Sequence, residues 1–459
     1  MKVPEIQVRT LAGSAGVRAP RESPKGWIMT AHLSRRSLLG LAGAGAGAYL
    51  LSACSGDEKS SDPNAPQTIN WWHIQNTEPM LPVWAAMANE YKTAHSNVTF
   101  TIQPLENEAF KAKLTTATQA GDPPDLFQSW GGGVLKQQVD AGLVKDLTDD
   151  LKDLVGGILP AAMQPYTIDG KIYGIPFDIG MVGFWYNKDL FTQAGITEPP
   201  TTWAGLLQAV GKLKTAGITP VAIAGKDKWP AHFYWSYLAM RIGGVGALQK
   251  AVDDKNFDTP ELAAAGERLK ELVDLQPFQK GFLGAEYGSP DGQAATMGNG
   301  KAAMELMGQW APAVQGSSST SKKGIGDKLG FFPFPAVDGG KGTATEVFGG
   351  GNGFAVGKDA PAATIDFLKF LLSVDNQRRS AKTGAVLPTV KEATDAISDP
   401  NNKVVAETLA KNTGFQLYLD QAYAPALGQQ INDSVAEIIA GKKAPAAILK
   451  DITQVAKTV

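Results

Sequence analysis

Cysteine is almost missing from this sequence: Cys54 is the single one in 459 residues. A lone thiol excludes an internal disulfide framework. With only His73, His95 and His232 following it, widely spaced, the chain offers no thiol-assisted zinc site, so no metal and no cofactor is expected. An excess of either charge is missing too. Lysine plus arginine number 43 against 45 aspartate plus glutamate, and no long basic run follows Cys54, which argues against a nucleic-acid partner. The pattern G-x-x-x-x-G-K-[ST] does not occur, so nucleotide hydrolysis has no phosphate-cradling loop. The apolar run at 38–51 is too short and too glycine-rich for a good membrane-spanning helix, and no internal repeat is found.

What surrounds the cysteine is a processing layout. Arg35 and Arg36 form a charged region, 38–51 an apolar one, and the small residues Ser52 and Ala53 precede Cys54. "SRRSLLG" resembles a twin-arginine export signal, and "LSAC" resembles a bacterial lipobox, whose cysteine is lipidated and becomes the mature N-terminus. Residues 1–54 are therefore expected to be a signal region, with Met29 well placed as the start, and 55–66 a flexible tether too poor in apolar side chains to pack. The rival reading of Cys54, a buried or disulfide-forming thiol, lacks a second cysteine.

From Thr68 onward strand-like and helix-like stretches alternate. "TINWWH" (68–73) reads as a strand, Leu81, Trp84, Met87, Ala88 and Tyr91 share one helical face, and "VTFTIQ" (98–103) reads as the next strand, which makes a βαβ unit. A helix over 109–120 stops at "GDPP", "DLF" begins a strand, and "SWGGG" opens a helix through Val139. The expectation is α/β layers around largely parallel strands, with ligands at the C-terminal strand ends. "GSSSTSKKGIGDK" (316–328) reads as an exposed loop.

"GDPPDLF" (121–127), "YGIPFDIGMVGFWYNKDLFTQAGI" (173–196), "PPTTWAGLLQAVGKLK" (199–214), "MELMGQWAPAV" (304–314), "VFGGGNGFAVGK" (347–358) and "TGAVLPTVKEA" (383–393), taken in order, resemble the extracellular solute-binding proteins of bacterial carbohydrate ABC importers, the group that includes maltose-binding protein, in its actinobacterial lipoprotein form. The resemblance covers nearly all of the chain after the lipobox. It implies an α/β fold of two lobes joined by hinge crossings, with a ligand cleft between them: crossings near 177–182 and 346–350 and a third return after Val390, an N-terminal lobe of 67–177 plus 350–393 and a C-terminal lobe of 182–346 plus 398–459. It implies no enzyme activity, no cofactor, a monomer lipid-anchored on the outer face of the membrane, an oligosaccharide ligand, and two permease subunits and a cytoplasmic ATPase as partners. Segments "SWGGG" and "DKWPAHFYW" resemble binders of short oligosaccharides, xylobiose or xylo-oligosaccharides first and chitobiose or N-acetylglucosamine second. An exported lipoprotein glycosidase, working with paired carboxylates, is the alternative.

Pyranose faces are apolar C–H surfaces and their edges carry hydroxyls, so aromatic plates plus planar polar groups suit them. Trp310, in "GQW", matches the family's stacking tryptophan, against a packing role between lobe elements. Trp130 precedes three glycines, where an exposed ring is easier to explain than a buried one. In "GKDKWPAHFYWSY" (225–237) Trp235 is expected in the core and Trp229, fixed by Pro230, in the cleft, with Asp227, Lys228 and His232 as hydroxyl partners or else a solvated surface. Asp178, after "GIPF", can accept two hydroxyl hydrogen bonds as a charged group. His73, Gln75, Asn76, Asn107, Glu108 and Asn352 follow strands or the glycine-rich crossing and face either the cleft or turn and cap duty. Tyr423 adds a further ring late in the chain. Glycine-rich "VFGGGNG" suits either a hinge or a tight turn.

Overall fold

Alternating buried side chains define the first strand, Gln67–His73, in a computed structural model that describes residues 65–459. The helix Met80–Ala94 covers it with Met80, Trp84, Met87, Ala88 and Tyr91, a stripe at helical spacing in which Met80 takes the place expected of Leu81. The chain returns as the strand Val98–Pro104, in parallel register with the first from Gln67↔Val98 to His73↔Pro104. A second helix, Asn107–Ala120, ends on Gly121 at φ 76°, a left-handed cap that favours glycine.

The resulting sheet has five strands in the order Val98–Pro104, Gln67–His73, Leu126–Ser129, Gly353–Val356, Ile175–Pro176. Only the pairs made by Gln67–His73 are parallel; Gly353–Val356 runs antiparallel to both its neighbours. A second sheet, Leu329–Phe332, Gly183–Asn187 and Met304–Met307, is antiparallel throughout. The expectation of largely parallel strands is thus corrected. A parallel pair needs a crossover to reverse the chain, and Gly353–Val356 enters its sheet directly from the other lobe without one.

Each sheet has its own core. Trp71, Trp84, Phe177, Phe354 and Phe367 fill the first lobe, and their rings interlock at 5.2–5.9 Å. Trp185, Tyr234, Trp235, Tyr237 and Phe334 anchor the second, which the helices Pro425–Ile439 and Pro445–Ala456 complete. Trp235 lies there with no exposure, its indole N–H directed at the Leu262 carbonyl, as its sequence position led us to expect. The helix Trp229–Gly243 crosses this core and is buried on every side from Pro230 to Arg241.

Chain passes between the lobes where Gly180–Met181 pairs antiparallel with Gly349–Gly350, and Glu346–Gly350 pairs parallel with Gly414–Leu417. A further strand-like stretch runs alongside: Ile179 N–H donates to the Leu387 carbonyl at 3.1 Å, and Thr389 Oγ1 donates to the Pro176 carbonyl at 2.8 Å. Gly351 is needed here, since a Cβ on it would stand 1.9 Å from the Asp178 carbonyl oxygen.

Candidate ligand-binding site between the lobes

The first lobe presents two strand ends. Glu106 caps the helix Asn107–Ala120, accepting from the backbone N–H groups of Glu108 and Ala109 at 2.9 and 3.1 Å, and so fixes the direction of its start, with Asn107 and Glu108 in the first turn and Lys111 opening the second. After Leu126–Ser129 comes Trp130, half-buried against Phe110 at 5.8 Å between ring centres. The three glycines that follow permit close approach. Gly132 has φ 65°, and a Cβ on it or on Gly133 would strike the backbone of Gln421 or Tyr423 at 2.5 Å.

The second lobe presents a circuit of aromatic rings. Trp229, at the first position of its helix, packs on Phe233 and Tyr287, both at 5.5 Å; Phe233 stacks on Tyr418 at 5.6 Å; Tyr418 meets Trp310 edge-on at 6.3 Å. Trp229 and Trp310 stay half-buried, whereas the rings linking them are closed in. Gly308 makes room for Trp310, because a Cβ there would lie 2.1 Å from its ring. Asp227 is held beneath Trp229 by the Tyr287 backbone N–H, which donates to its carboxylate at 2.7 Å. Burial pushes Asp227 up to about 6, opposed by that hydrogen bond and helped by Glu106, Glu108 and Glu286, so carboxylates from both lobes share this mouth.

The two walls meet at an ion pair. Lys111 Nζ lies 3.0 Å from Asp420 and 3.3 Å from Glu108, and 5.8 Å from the centre of the Trp130 ring. Burial works to raise the Asp420 pKa, but Lys111, His232 and hydrogen bonds from Lys111 and Asn432 outweigh it and hold the group below the usual carboxylate range. His232, fully enclosed by the Trp229–Gly243 helix and its neighbours, is pushed down to about 4 by burial and is neutral at pH 7. The arrangement joins apolar plates and hydrogen-bonding charges of both signs, the groups a hydroxyl-rich ring compound needs, while His232 lies enclosed behind them.

Of the residues singled out in the sequence, the fold brings Glu108 within electrostatic reach of Asp227, and Trp130 and His232 to the neighbourhood of Lys111, while Trp229 and Trp310 stand at the two ends of the aromatic circuit. Others it places elsewhere. Asp178 and Asn352 bond each other at the crossing: the Asn352 backbone N–H and side-chain Nδ2 donate to the two Asp178 oxygens at 2.6 and 2.7 Å, and Gln128 Nε2 donates to Asn352 Oδ1 at 2.7 Å. The Asp178 carboxylate expected to receive ligand hydroxyls is thus already engaged; burial pushes it up to about 7 against the lowering pull of those two bonds. His73 turns inward between Trp71 and Trp84, at 4.7 and 4.8 Å, where the strand's alternation points it into the lobe core. Tyr423 is buried against Phe257 in the second core. Lys228 pairs with Asp433 at 2.6 Å on an exposed face, Asn76 is exposed, and Asn107 donates to Glu108 at 2.8 Å.

Sequence reasoning passed over Lys111, Asp420, Tyr418 and Tyr287. Gln309 was also missed: it is fully buried against Gly180, and neither end of its amide has a hydrogen-bond partner among the described residues. Its place in "GQW", beside the tryptophan already noted, was the available signal.

Two α/β lobes threaded by paired crossings, with aromatic plates and charged groups facing each other across the junction, define a two-lobe solute-binding protein of the periplasmic type. The chain belongs to the bacterial extracellular solute-binding protein family, whose model matches residues 76–378. The diacetylchitobiose binding protein DasA of Streptomyces coelicolor is 27% identical over 399 residues, 83% of this chain and 88% of that protein. A solved structure from work on xylan utilization by the thermophilic bacterium Caldanaerobius polysaccharolyticus superposes with a TM-score of 0.77 at 29% identity, covering 84% of this chain and 99% of that one. A chitin oligosaccharide binding protein superposes with a TM-score of 0.78 at 26% identity, over 85% and 98% of the two chains. The protein is the solute-binding component of a sugar ABC importer, a family of extracellular proteins that work with permease and ATPase subunits. Among the described residues no helix is long and apolar enough to cross a membrane. The signal region, Cys54 and most of the tether lie outside the described residues.

Proposed function

We propose that this protein captures a short oligosaccharide between its lobes and presents it to the permease from a lipid anchor on Cys54. The observation that carries the reading is the aromatic circuit from Trp229 through Phe233 and Tyr418 to Trp310, partly open at its two tryptophans, with Lys111 reaching from the other lobe to Asp420, two residues beyond Tyr418. The tryptophan faces stack on pyranose C–H surfaces, while Asp227, Glu108 and the Lys111–Asp420 pair exchange hydrogen bonds with the hydroxyl edge. Xylobiose or a longer xylo-oligosaccharide is the first candidate, supported by the relationship at 29% identity to the protein from xylan utilization. Chitobiose or N-acetylglucosamine is the second, supported by the diacetylchitobiose and chitin oligosaccharide binders.

Titration of tryptophan fluorescence with xylobiose, xylotriose, N,N′-diacetylchitobiose and N-acetylglucosamine tests the reading. Saturable quenching or enhancement by one series, with the bound sugar recovered chemically unchanged, is the expected result. No response to any of them, or recovery of cleaved sugar, rejects it.

A further inference from the structure

Beneath the two proposed tryptophan walls lies a carboxylate that touches neither. Glu305, in the strand Met304–Met307, has no exposure and makes no ion pair among the described residues. Its two oxygens are divided. Oε1 accepts from Gln315 Nε2 at 2.6 Å, and Oε2 accepts from Gln293 Nε2 at 2.8 Å. Gln315 belongs to the helix Ala311–Ser318, which Trp310 opens; Gln293 opens the helix Gln293–Gly298, and its Oε1 accepts from the Ala224 backbone N–H at 2.7 Å, at the root of the loop that carries Asp227 and Trp229. The Gln293 backbone N–H also donates to the Glu286 carbonyl and that of Ala294 to the Tyr287 carbonyl, both at 3.1 Å, so the ring that supports Trp229 hangs from the same helix.

We propose that Glu305 is a positioning residue for the sugar site, setting the spacing between the Trp229 and Trp310 walls by holding, on opposite oxygens of one carboxylate, the helix that Trp310 opens and the helix Gln293–Gly298 to which the Trp229 loop and Tyr287 are tied. A buried carboxylate without a cation is costly to keep, and the amide donors are what offset that cost. An apolar residue of similar size would fill the same space but would leave both helix positions to packing alone. Each amide donates toward Glu305, and the Gln293 arm is fixed in direction because its other atom must accept from Ala224, whereas Gln315 Oε1 has no partner among the described residues. The inference rests on the assignment of Trp229 and Trp310 as ligand walls.

The test is Glu305→Leu in the full chain labelled with 5-fluorotryptophan, beside the double variant Glu305→Gln with Gln293→Glu. The single variant removes both acceptors and breaks both arms. The double variant keeps every donor and acceptor, because Gln at 305 accepts from Gln315 and donates to a Glu at 293 that still accepts from Ala224. Loss of a hydrogen bond to a charged group corresponds to about tenfold weaker binding or more. In Glu305→Leu, titration with N,N′-diacetylchitobiose or xylobiose should show that loss, and the fluorine resonances of Trp229 and Trp310 should both shift while that of Trp84, in the other lobe, stays fixed. The double variant should keep affinity and both resonances. Unmoved resonances in Glu305→Leu, or displaced ones in the double variant, overturn the proposal. Gln315→Leu, which releases one arm only, should shift Trp310 without Trp229, and equal movement of both counts against it; this variant serves if Glu305→Leu does not fold. If wild type binds neither sugar the wall assignment fails, while the resonances still decide whether Glu305 sets the two tryptophans.

Discussion

Lys111 and Asp420 are separated by 309 residues of sequence and by 3.0 Å in space. Their side chains are 26% and 10% exposed, and each belongs to a different lobe, so the pair is an electrostatic clasp across the junction. Removing one partner of a fully buried pair costs about 3–5 kcal/mol because the other charge is stranded. Here the stranded carboxylate can regain water if the lobes part, which reduces the cost toward that of exposed pairs, about 1 kcal/mol. Lys111→Met should therefore express itself as opening. Small-angle scattering of the sugar-free variant should give a larger radius of gyration than wild type, and identical profiles would remove the clasp from the description.

Trp310→Ala and Trp229→Ala should weaken sugar binding by about 2 kcal/mol each, roughly thirtyfold in Kd, with little change in the melting temperature of the free protein. Trp235→Ala supplies the contrast. Its ring has no exposure, and truncation should cost about 3–5 kcal/mol of stability with or without sugar. A large loss of stability in Trp310→Ala combined with unchanged affinity would return that residue to a packing role.

Three carboxylates should stabilise this fold more in acid than at neutral pH. Burial raises Asp178 and Glu305 to about 7 and Asp227 to about 6 in the folded protein, whereas the unfolded chain releases those protons near pH 4. Between those limits the folded state holds more protons at these three groups, so their contribution declines as pH rises and levels off above about 7, while His73 and His232, lowered by burial to about 3 and about 4, act in the opposite direction below about 6.5. Asp178→Asn should flatten the decline in melting temperature measured from pH 5 to 7. Parallel curves for variant and wild type would mean that Asp178 is already ionised.

Gly351→Ala probes the crossing. With its Cβ directed at the Asp178 carbonyl oxygen 1.9 Å away, the added methyl must push the two crossing segments apart, and overpacking of this kind costs about 1–3 kcal/mol. Thermal melts should show the loss. A variant as stable as wild type would reveal slack between the segments that the geometry does not show.

If Cys54 carries the proposed acyl chains, Cys54→Ser should release the protein from membranes or leave the expected leader uncut. Mass spectrometry of the native N-terminus checks it: an unmodified Cys54 within an intact longer chain disproves lipidation.

The βαβ start was legible because Trp84, Met87, Ala88 and Tyr91 recur at helical spacing between two alternating runs, a pattern only local geometry has to satisfy. The partial exposure of Trp229 and Trp310 was legible because a large ring beside a proline or a glycine has little chain around it to bury it. Lys111 was not. On its own helix it reads as a solvated lysine, and what makes it special is Asp420, brought up by a second lobe after 309 residues. His73 misled for the opposite reason: its place at a strand end suggested the cleft, but the alternation that buries Trp71 also buries the residue two positions on. The antiparallel strands escaped notice because strand direction is set by where the chain comes from, not by its side chains.

The helix Trp229–Gly243 carries a mechanical consequence. Its first residue is a proposed sugar contact; Tyr237, two turns on, donates through Oη to the Val182 carbonyl and accepts from the Phe348 N–H, and Arg241 donates to the Glu346 carbonyl at 2.9 Å. At about 1.5 Å per residue this is a rod of roughly 20 Å running from the ligand contact to both crossing strands. Buried on every side, it has no room to bend, so it ties the position of its first residue to residues 346–348 of the crossing. A Trp229 that contacts sugar, as proposed, would make it a stiff lever with its heel at the fulcrum.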